Sequence, residues 1–203
     1  MRFTTIELAH TAFRPADFPV PDLPVAALLG RSNSGKSTLL NALLGEARAA
    51  RTGQRPGLTR GVRFFRADGR ILLADTPGYG YAGMGKEAAE ANGRLLEAYL
   101  EAGPVTLALL LLDVRREPRQ DERIIMERLT LRGVPVCIVL TKCDKVKERE
   151  ISAKTKALRT SFPPTTAIHS VSAASGRGID TLVKFILQGA LHALRQTEKE
   201  PAV

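Results

Sequence analysis

The stretch that decides the fold is Gly30-Arg31-Ser32-Asn33-Ser34-Gly35-Lys36-Ser37, a Gly-x4-Gly-Lys-Ser motif. It follows a short apolar run at 25–29 and opens a segment of helical spacing at 36–44 that stops at Gly45. A glycine-rich turn between a strand and a helix binds phosphate, because its backbone N–H groups and the positive helix end face the anion. We expect Lys36 to reach the β- and γ-phosphates of a nucleotide and the Ser37 hydroxyl to ligate Mg²⁺, with Thr38 beside them.

Outward from this motif, short apolar runs alternate with segments of helical spacing. The pattern predicts strands at 25–29, 62–66, 70–74, 105–113, 134–140 and 166–171, and helices at 36–44, 86–102, 118–132, 151–161 and 179–195. Such alternation is typical of a three-layer α/β fold. We expect a mostly parallel six-stranded sheet with one antiparallel edge strand and helices on both faces.

The same pattern gives a domain organisation. Residues 1–24 contain four prolines and are predicted to be an irregular lead-in with room for a short edge strand. Residues 25–195 form the nucleotide-binding domain, and 196–203 form a tail.

Composition excludes several classes of protein. The chain has 203 residues, of which 44% are hydrophobic and 25% charged, as in ordinary globular domains. The longest apolar run, 105–112, is too short to cross a bilayer, and the first residues lack the apolar core of a signal peptide. Cys137 and Cys143 give no disulfide framework. We therefore expect a soluble, cytoplasmic protein without membrane association.

Two further motifs follow predicted strands and complete a phosphate and metal site. In Asp75-Thr76-Pro77-Gly78, the carboxylate of Asp75 is expected to hold the Mg²⁺ shell and the Gly78 N–H to sense the γ-phosphate. The loop at 51–60 carries Gly57-Leu58-Thr59, and Thr59 is expected to close on Mg²⁺ and the γ-phosphate as a switch. An ordinary polar loop is the alternative for this segment.

The purine base is assigned to motifs after the fifth and sixth strands. The carboxylate in Thr141-Lys142-Cys143-Asp144 can accept two hydrogen bonds from guanine N1–H and N2–H₂, a donor pair that adenine lacks. The Lys142 stem is expected to lie along the base. In Ser172-Ala173-Ala174, small residues allow a backbone N–H to approach guanine O6.

Positive charge is concentrated in one window, residues 48–70. The net charge is +9, and this window holds seven arginines (48, 51, 55, 60, 63, 66 and 70) against one acid, Asp68. We call these seven residues the basic stripe. A polyanionic partner such as nucleic acid is one interpretation, and a solvated arginine-rich surface is the other.

Taken together, these motifs resemble the EngB (YihA/YsxC) family of ribosome-biogenesis GTPases, within the TrmE-Era-EngA-EngB-Septin-like group. The resemblance runs from about residue 19 to 190. Its most specific parts are Gly-Arg-Ser-Asn-x-Gly-Lys-Ser at 30–37, Pro-Gly-x-Thr at 56–59, Asp-x-Pro-Gly-Tyr-Gly-Tyr-Ala at 75–82, Asp-x-Arg at 113–115 and Thr-Lys-x-Asp at 141–144. It implies a P-loop GTPase fold, GTP/GDP and Mg²⁺ as ligands, and a monomeric switch that assembles the large ribosomal subunit and is needed for normal cell division. Ribosomal RNA would meet the basic stripe.

Departures from the family bear on details of the loops. Ser34 and Leu58 replace a small apolar residue and an arginine, and Arg116 stands where histidine is common. The wider GTPase group often places glutamine where this chain has Tyr79, so we expect slow intrinsic hydrolysis. That slowness leaves a rival interpretation open, a non-catalytic nucleotide-gated RNA-binding adaptor.

The resemblance also raises a role for Asn33 in catalysis. Members of the wider group with asparagine at this place often use a bound K⁺, which gives Asn33 a catalytic role beside Lys36, Thr59 and Gly78. A hydrogen bond from Asn33 to the first switch is the alternative.

Several other side chains have two interpretations each. Tyr79 and Tyr81 are expected to pack or contact a partner rather than stack on RNA bases. Three arginines after the fourth strand either touch RNA or are solvated: Arg115, Arg116 and Arg119.

Overall fold

The computed structural model describes residues 2–43, 61–80 and 85–197, without the side chains of residue 86 and residues 190–197. Its strands are β1 (Ile6–Ala12), β2 (Val25–Leu29), β3 (Val62–Ala67), β4 (Ile71–Asp75), β5 (Leu107–Asp113), β6 (Val136–Thr141) and β7 (Ala167–Ser170). Its helices are α1 (Lys36–Leu43), α2 (Lys86–Ala102), α3 (Gln120–Leu131), α4 (Glu148–Ser161) and α5 (Ile179–Thr197). Each predicted strand and helix is present, with ends shifted by up to three residues.

One sheet joins the strands in the order β1-β3-β4-β2-β5-β6-β7. The mostly parallel α/β fold is confirmed, but the described sheet has seven strands rather than six because the proline-rich lead-in supplies β1. Strand β3 pairs antiparallel with both β1 and β4, so the reversed strand lies one position in from the edge. The other pairs, β4-β2-β5-β6-β7, are parallel.

Alternate residues of β5 face opposite sides of the sheet, as the period of a strand requires. Leu109 and Leu111 pack in the cluster that contains apolar residues of α1 and α5. Leu110 and Leu112 pack in the cluster that contains apolar residues of α2, α3 and α4. Both faces are therefore covered, and the continuous apolar run of β5 is explained by burial on two sides.

The hairpin between β3 and β4 also anchors the lead-in. Asp68 and Gly69 have φ values of 48° and 61°, as an Asp-Gly turn of the hairpin type requires. Asp68 Oδ1 accepts hydrogen bonds from the backbone N–H groups of Thr4 (2.9 Å) and Thr5 (2.7 Å). Asp68, the one acid of the 48–70 window, therefore holds the lead-in segment against the hairpin.

Across the described ranges, no helix has the length and apolar character needed to traverse a bilayer.

Candidate functional site

The phosphate loop joins the carboxyl end of β2 to α1 and folds around the side chain of Lys36. Lys36 Nζ donates hydrogen bonds to the carbonyls of Gly30 (2.7 Å) and Arg31 (3.2 Å). Burial lowers the pKa of Lys36 to about 8, and the nearby charge of Asp75 opposes that shift. Gly30 has φ of 155°, and a Cβ there would lie 2.6 Å from Ser34 Oγ, so only glycine fits. The loop therefore holds a partly desolvated ammonium at its centre.

Asp75 ends β4 beside this ammonium, and its carboxylate is 1% exposed. The Arg63 guanidinium on the neighbouring strand donates a hydrogen bond to Asp75 Oδ2. Thr76 is also buried, and its hydroxyl donates to the Leu28 carbonyl at 2.8 Å. Pro77 is buried as well. Asp75 is thus fixed by the sheet rather than by a loop.

Gly78 packs directly against the phosphate loop. A Cβ at this position would lie 3.0 Å from both Lys36 Nζ and Ser32 Oγ, tighter than ordinary van der Waals contact, so the glycine eases the close approach. The Ser32 N–H donates to the Tyr79 carbonyl at 2.8 Å, which forms an isolated bridge between the two segments. Ser37 and Thr38 begin α1 with exposed side chains. Lys36, Asp75 and Gly78 are therefore brought together as the motifs predicted.

Lys142 connects the two halves of the site. It has a φ of 59°, and its Nζ donates to the Asn33 carbonyl at 2.7 Å and pairs with Asp113 Oδ2 at 3.1 Å. Arg115 holds the same carboxylate through Nε (2.9 Å) and Nη2 (2.7 Å), and this keeps the pKa of Asp113 well below its usual range. Asp113 therefore fixes Lys142 against the phosphate loop.

Thr141, at the end of β6, is hydrogen-bonded to the phosphate loop. Its hydroxyl donates to the Ser34 carbonyl at 2.7 Å, and Thr141 is buried. Asn33 has a φ of 65°, an uncommon conformation for a residue with a side chain. The phosphate loop is thus positioned by two residues of the base motif, Thr141 and Lys142.

Asp144 lies at the far end of the site, next to Ser172. The Ser172 hydroxyl donates to Asp144 Oδ1 at 2.7 Å, and this bond holds the pKa of Asp144 below its usual range. Lys145 Nζ lies 3.2 Å from the other carboxylate oxygen. Cys143 is buried, whereas Ala173 and Ala174 are partly or fully exposed after β7. The carboxylate stays ionised and oriented, as guanine recognition would need.

Some predicted site residues lie outside the described residues. These are Gly57, Leu58 and Thr59 of the expected switch, Tyr81, and the stripe arginines at 48, 51, 55 and 60. Of the three described stripe arginines, Arg63 pairs with Asp75 and Arg66 pairs with Asp22 at 2.9 Å. Arg63 and Arg66 are therefore half-buried in ion pairs, whereas Arg70, the third described arginine of the stripe, is exposed.

Sequence reasoning missed the partners of three residues. Arg115 forms an ion pair with Asp113, a partner that neither the RNA interpretation nor the solvated one included. Tyr79 packs against the core, as expected, but its hydroxyl also donates to Glu122 Oε1 at 3.0 Å. The Arg63–Asp75 pair was not anticipated. The Tyr79–Glu122 and Arg63–Asp75 pairs join residues on different segments, so only packing and register could have indicated them. Asp113 and Arg115, in contrast, are two positions apart at the end of β5.

Tyr79→Phe is expected to lower the free energy of unfolding by about 1–3 kcal/mol, because it leaves a buried carboxylate oxygen without its donor. Glu122 is 1% exposed, and its second oxygen accepts the Arg119 N–H at 2.7 Å at the start of α3. Denaturant titration measures the effect. A double-mutant cycle with Glu122→Gln should show coupling, and additive effects would contradict a specific Tyr79–Glu122 interaction.

Comparison with known proteins agrees with this geometry. A family described as "50S ribosome-binding GTPase" matches residues 25–142. "Probable GTP-binding protein EngB" of Geobacter metallireducens is 38% identical over 151 residues, which are 74% of this chain and 74% of that protein. The protein of the same name from Desulfosudis oleivorans is 34% identical over 204 residues, covering 100% of this chain and 94% of the relative.

Solved structures extend the likeness to three dimensions. A variant of Era from Aquifex aeolicus bound to GDP and AlF4⁻ is 27% identical, with a TM-score of 0.67. The match covers 83% of this chain but 57% of that Era chain. Era in complex with MgGDPNP and nucleotides 1506–1542 of 16S ribosomal RNA is also 27% identical, with a TM-score of 0.65 over 82% of this chain and 56% of the other.

Proposed function

Because this chain belongs to the EngB family of GTP-binding proteins, we propose that it binds GTP with Mg²⁺, hydrolyses it slowly, and uses its nucleotide state to control binding to the large ribosomal subunit. The proposal rests on one observation: the residues assigned to the phosphates and those assigned to the base are connected through Lys142. Lys36, Asp75 and Gly78 form the phosphate side, Asp144 and Ser172 form the base side, and Lys142 links them.

The residues at the phosphate side fit Mg²⁺. Asp75 supplies a buried carboxylate and Ser37 a hydroxyl, the hard oxygen ligands that this ion prefers. Asp75 interacts electrostatically with Lys36, the residue before Ser37, so both donors belong to one site. Bound Mg²⁺ would neutralise charge on the β- and γ-phosphates, and Thr59 is proposed to join its ligands.

This chain's own residues would bind and orient the substrate. Lys36 offers its ammonium to the phosphates, and the amino end of α1, which begins at Lys36, directs its backbone N–H groups toward them. Positioning and charge neutralisation then suffice without covalent catalysis. Tyr79 stands where an amide could orient the attacking water, and its hydroxyl is bonded to Glu122 instead. We therefore expect weak intrinsic hydrolysis.

Single-turnover hydrolysis of GTP tests the enzymatic part of the proposal. The rate without partners should be on the order of 10⁻⁴ to 10⁻³ per second, and large-subunit precursors should raise it. The Lys36→Met variant controls for contaminating GTPases. No turnover in either condition would favour the nucleotide-gated adaptor.

The same assay in KCl and in NaCl tests the binding of K⁺ at Asn33. Equal hydrolysis rates in the two salts would exclude a catalytic role for K⁺.

Ribosome binding is supported by the description of the family and by the RNA-bound Era structure. We expect the protein to co-sediment with large subunits in a non-hydrolysable GTP analogue and much less in GDP. Arg48→Glu with Arg51→Glu should reduce that binding, whereas Arg159→Glu on α4 should not. Equal binding in both nucleotide states, or none, would contradict a switch acting in the cytoplasm on the ribosome.

A further inference from the structure

Arg63 and Asp75 face each other across the antiparallel pair of β3 and β4, in direct register. Directly paired residues on neighbouring strands hold their side chains close together on one face of the sheet. The contact is therefore built into the sheet, and the Asp-Gly turn that closes the hairpin maintains it.

Both side chains are confined. The Asp75 side chain is 1% exposed and that of Arg63 is 17% exposed. The Arg63 guanidinium also lies over the Phe65 ring, 5.6 Å from its centroid. Arg63 Nε is buried and has no hydrogen-bond partner within the described parts of the chain. A guanidinium held on one side by a ring and on the other by a carboxylate has little freedom to leave.

We propose that Arg63 lowers the Mg²⁺ affinity of the nucleotide site by competing for the carboxylate of Asp75, and so speeds nucleotide release. This inference rests on the proposed function, which assigns Asp75 to Mg²⁺. A guanidinium and a divalent cation on one buried carboxylate repel each other, and water screens that repulsion poorly at such a site. Lys36 adds a third positive charge nearby.

Arg63 is a positioning residue in this scheme. It acts on the ion through Asp75, and the expected consequence is exchange of GDP at a moderate Mg²⁺ concentration without a separate release factor. Arg66 offers a matched comparison. It lies on the same strand and pairs with Asp22 at 2.9 Å, but it is oriented toward the lead-in rather than the phosphate side.

The test is the release of fluorescent GDP from the full chain at a series of buffered free Mg²⁺ concentrations. In Arg63→Gln, the Mg²⁺ concentration for half-maximal slowing should fall about tenfold. Arg63→Lys, which keeps the charge, and Arg66→Gln should stay near the wild type. The Mg²⁺-dependent rise in unfolding temperature with GDP present should grow in parallel in Arg63→Gln.

An unchanged or higher half-maximal concentration in Arg63→Gln would overturn the proposal while leaving the nucleotide site intact. If the rate of GDP release from the wild type does not depend on Mg²⁺ concentration, Asp75 is not a Mg²⁺ ligand. That result would overturn both the assignment and the inference. If Arg63→Gln does not fold, a measurement on the wild-type protein still tests the proposal. The Arg63 Nε–H resonance should shift on adding Mg²⁺ to the GDP complex and that of Arg66 should not, and an unmoved Arg63 signal contradicts competition.

Discussion

Asp144→Asn is expected to transfer base preference from guanine to xanthine nucleotides, with GTP affinity falling about 100- to 1,000-fold. Guanine presents two donors, N1–H and N2–H₂, and a carboxylate presents two acceptors. An amide replaces one acceptor by an NH₂ group that would face the guanine N2–H₂. Xanthine carries a carbonyl at that position and accepts the amide donor instead.

The surroundings of Asp144 make this variant informative. Its Oδ1 already accepts the Ser172 hydroxyl at 2.7 Å, and Ser172 is fully buried. Ser172 is fixed in turn, since its N–H donates to the Arg177 carbonyl at 2.9 Å and its hydroxyl accepts the Ser175 N–H at 3.2 Å. The amide oxygen of asparagine can accept the same bond from Ser172. The side chain therefore keeps its orientation, and only base recognition changes.

Competition between GDP and XDP for the site, followed with a fluorescent nucleotide, measures the preference. Asp22→Asn is the control, because that carboxylate is exposed and pairs with Arg66 away from the site. A variant that still prefers guanine would mean that the 141–144 motif does not read the base.

Much of the fold could be predicted from the sequence because the sheet is buried on both faces. The run that became β5 has to be apolar throughout, and its flanking helices have to show helical spacing. Parallel strands also place their carboxyl ends at one edge, so motifs that follow strands meet there. This is why Lys36, Asp75 and Lys142 were expected together.

The first strand has a weaker sequence signal. In β1, only the end residues Ile6 and Ala12 are buried, and the four residues from Glu7 to His10 are exposed. This edge strand shows no apolar alternation because most of its residues are exposed, and its pairing with β3 needs only the backbone. The sequence therefore predicted six strands, and the described residues form seven.

Charge says little about individual residues, since a count of arginines does not show their partners. Arg63 and Arg66 belong to the basic stripe, but both form ion pairs within the fold. The Tyr79–Glu122 bond joins residues 43 positions apart, and the pairing depends on how α3 packs beside the phosphate loop. Such contacts follow from register and packing, which no local pattern encodes.

The second large effect is expected from Lys36→Met. It should lower nucleotide affinity about 100- to 1,000-fold, because the ammonium is the charged group that the loop directs at the phosphates. The free protein should stay within about 1 kcal/mol of the wild type. Relief of a desolvated charge offsets the loss of the hydrogen bonds to the Gly30 and Arg31 carbonyls.

Lys36 should also leave a signature in pH dependence. Its pKa falls from 10.5 to about 8 in the folded chain, so between these values the unfolded chain binds more protons. The contribution of Lys36 to the free energy of unfolding therefore rises as pH increases from about 8 to 10.5.

Bound phosphate favours the charged ammonium, so nucleotide binding near pH 8.5 should take up protons. Calorimetry in two buffers of different ionisation enthalpy measures that uptake, which Lys36→Met should abolish.

Lys154→Met is the matched control, because Lys154 is also a buried lysine, but its Nζ pairs with Glu117 at 2.6 Å rather than with the carbonyls of the phosphate loop. It should bind GDP and take up protons as the wild type does. If Lys36→Met behaved in the same way, the ammonium would not contact phosphate. The hydrogen bonds from Lys36 to its own loop would then be purely structural, and the Gly30–Ser37 motif would serve only to turn the chain from β2 into α1.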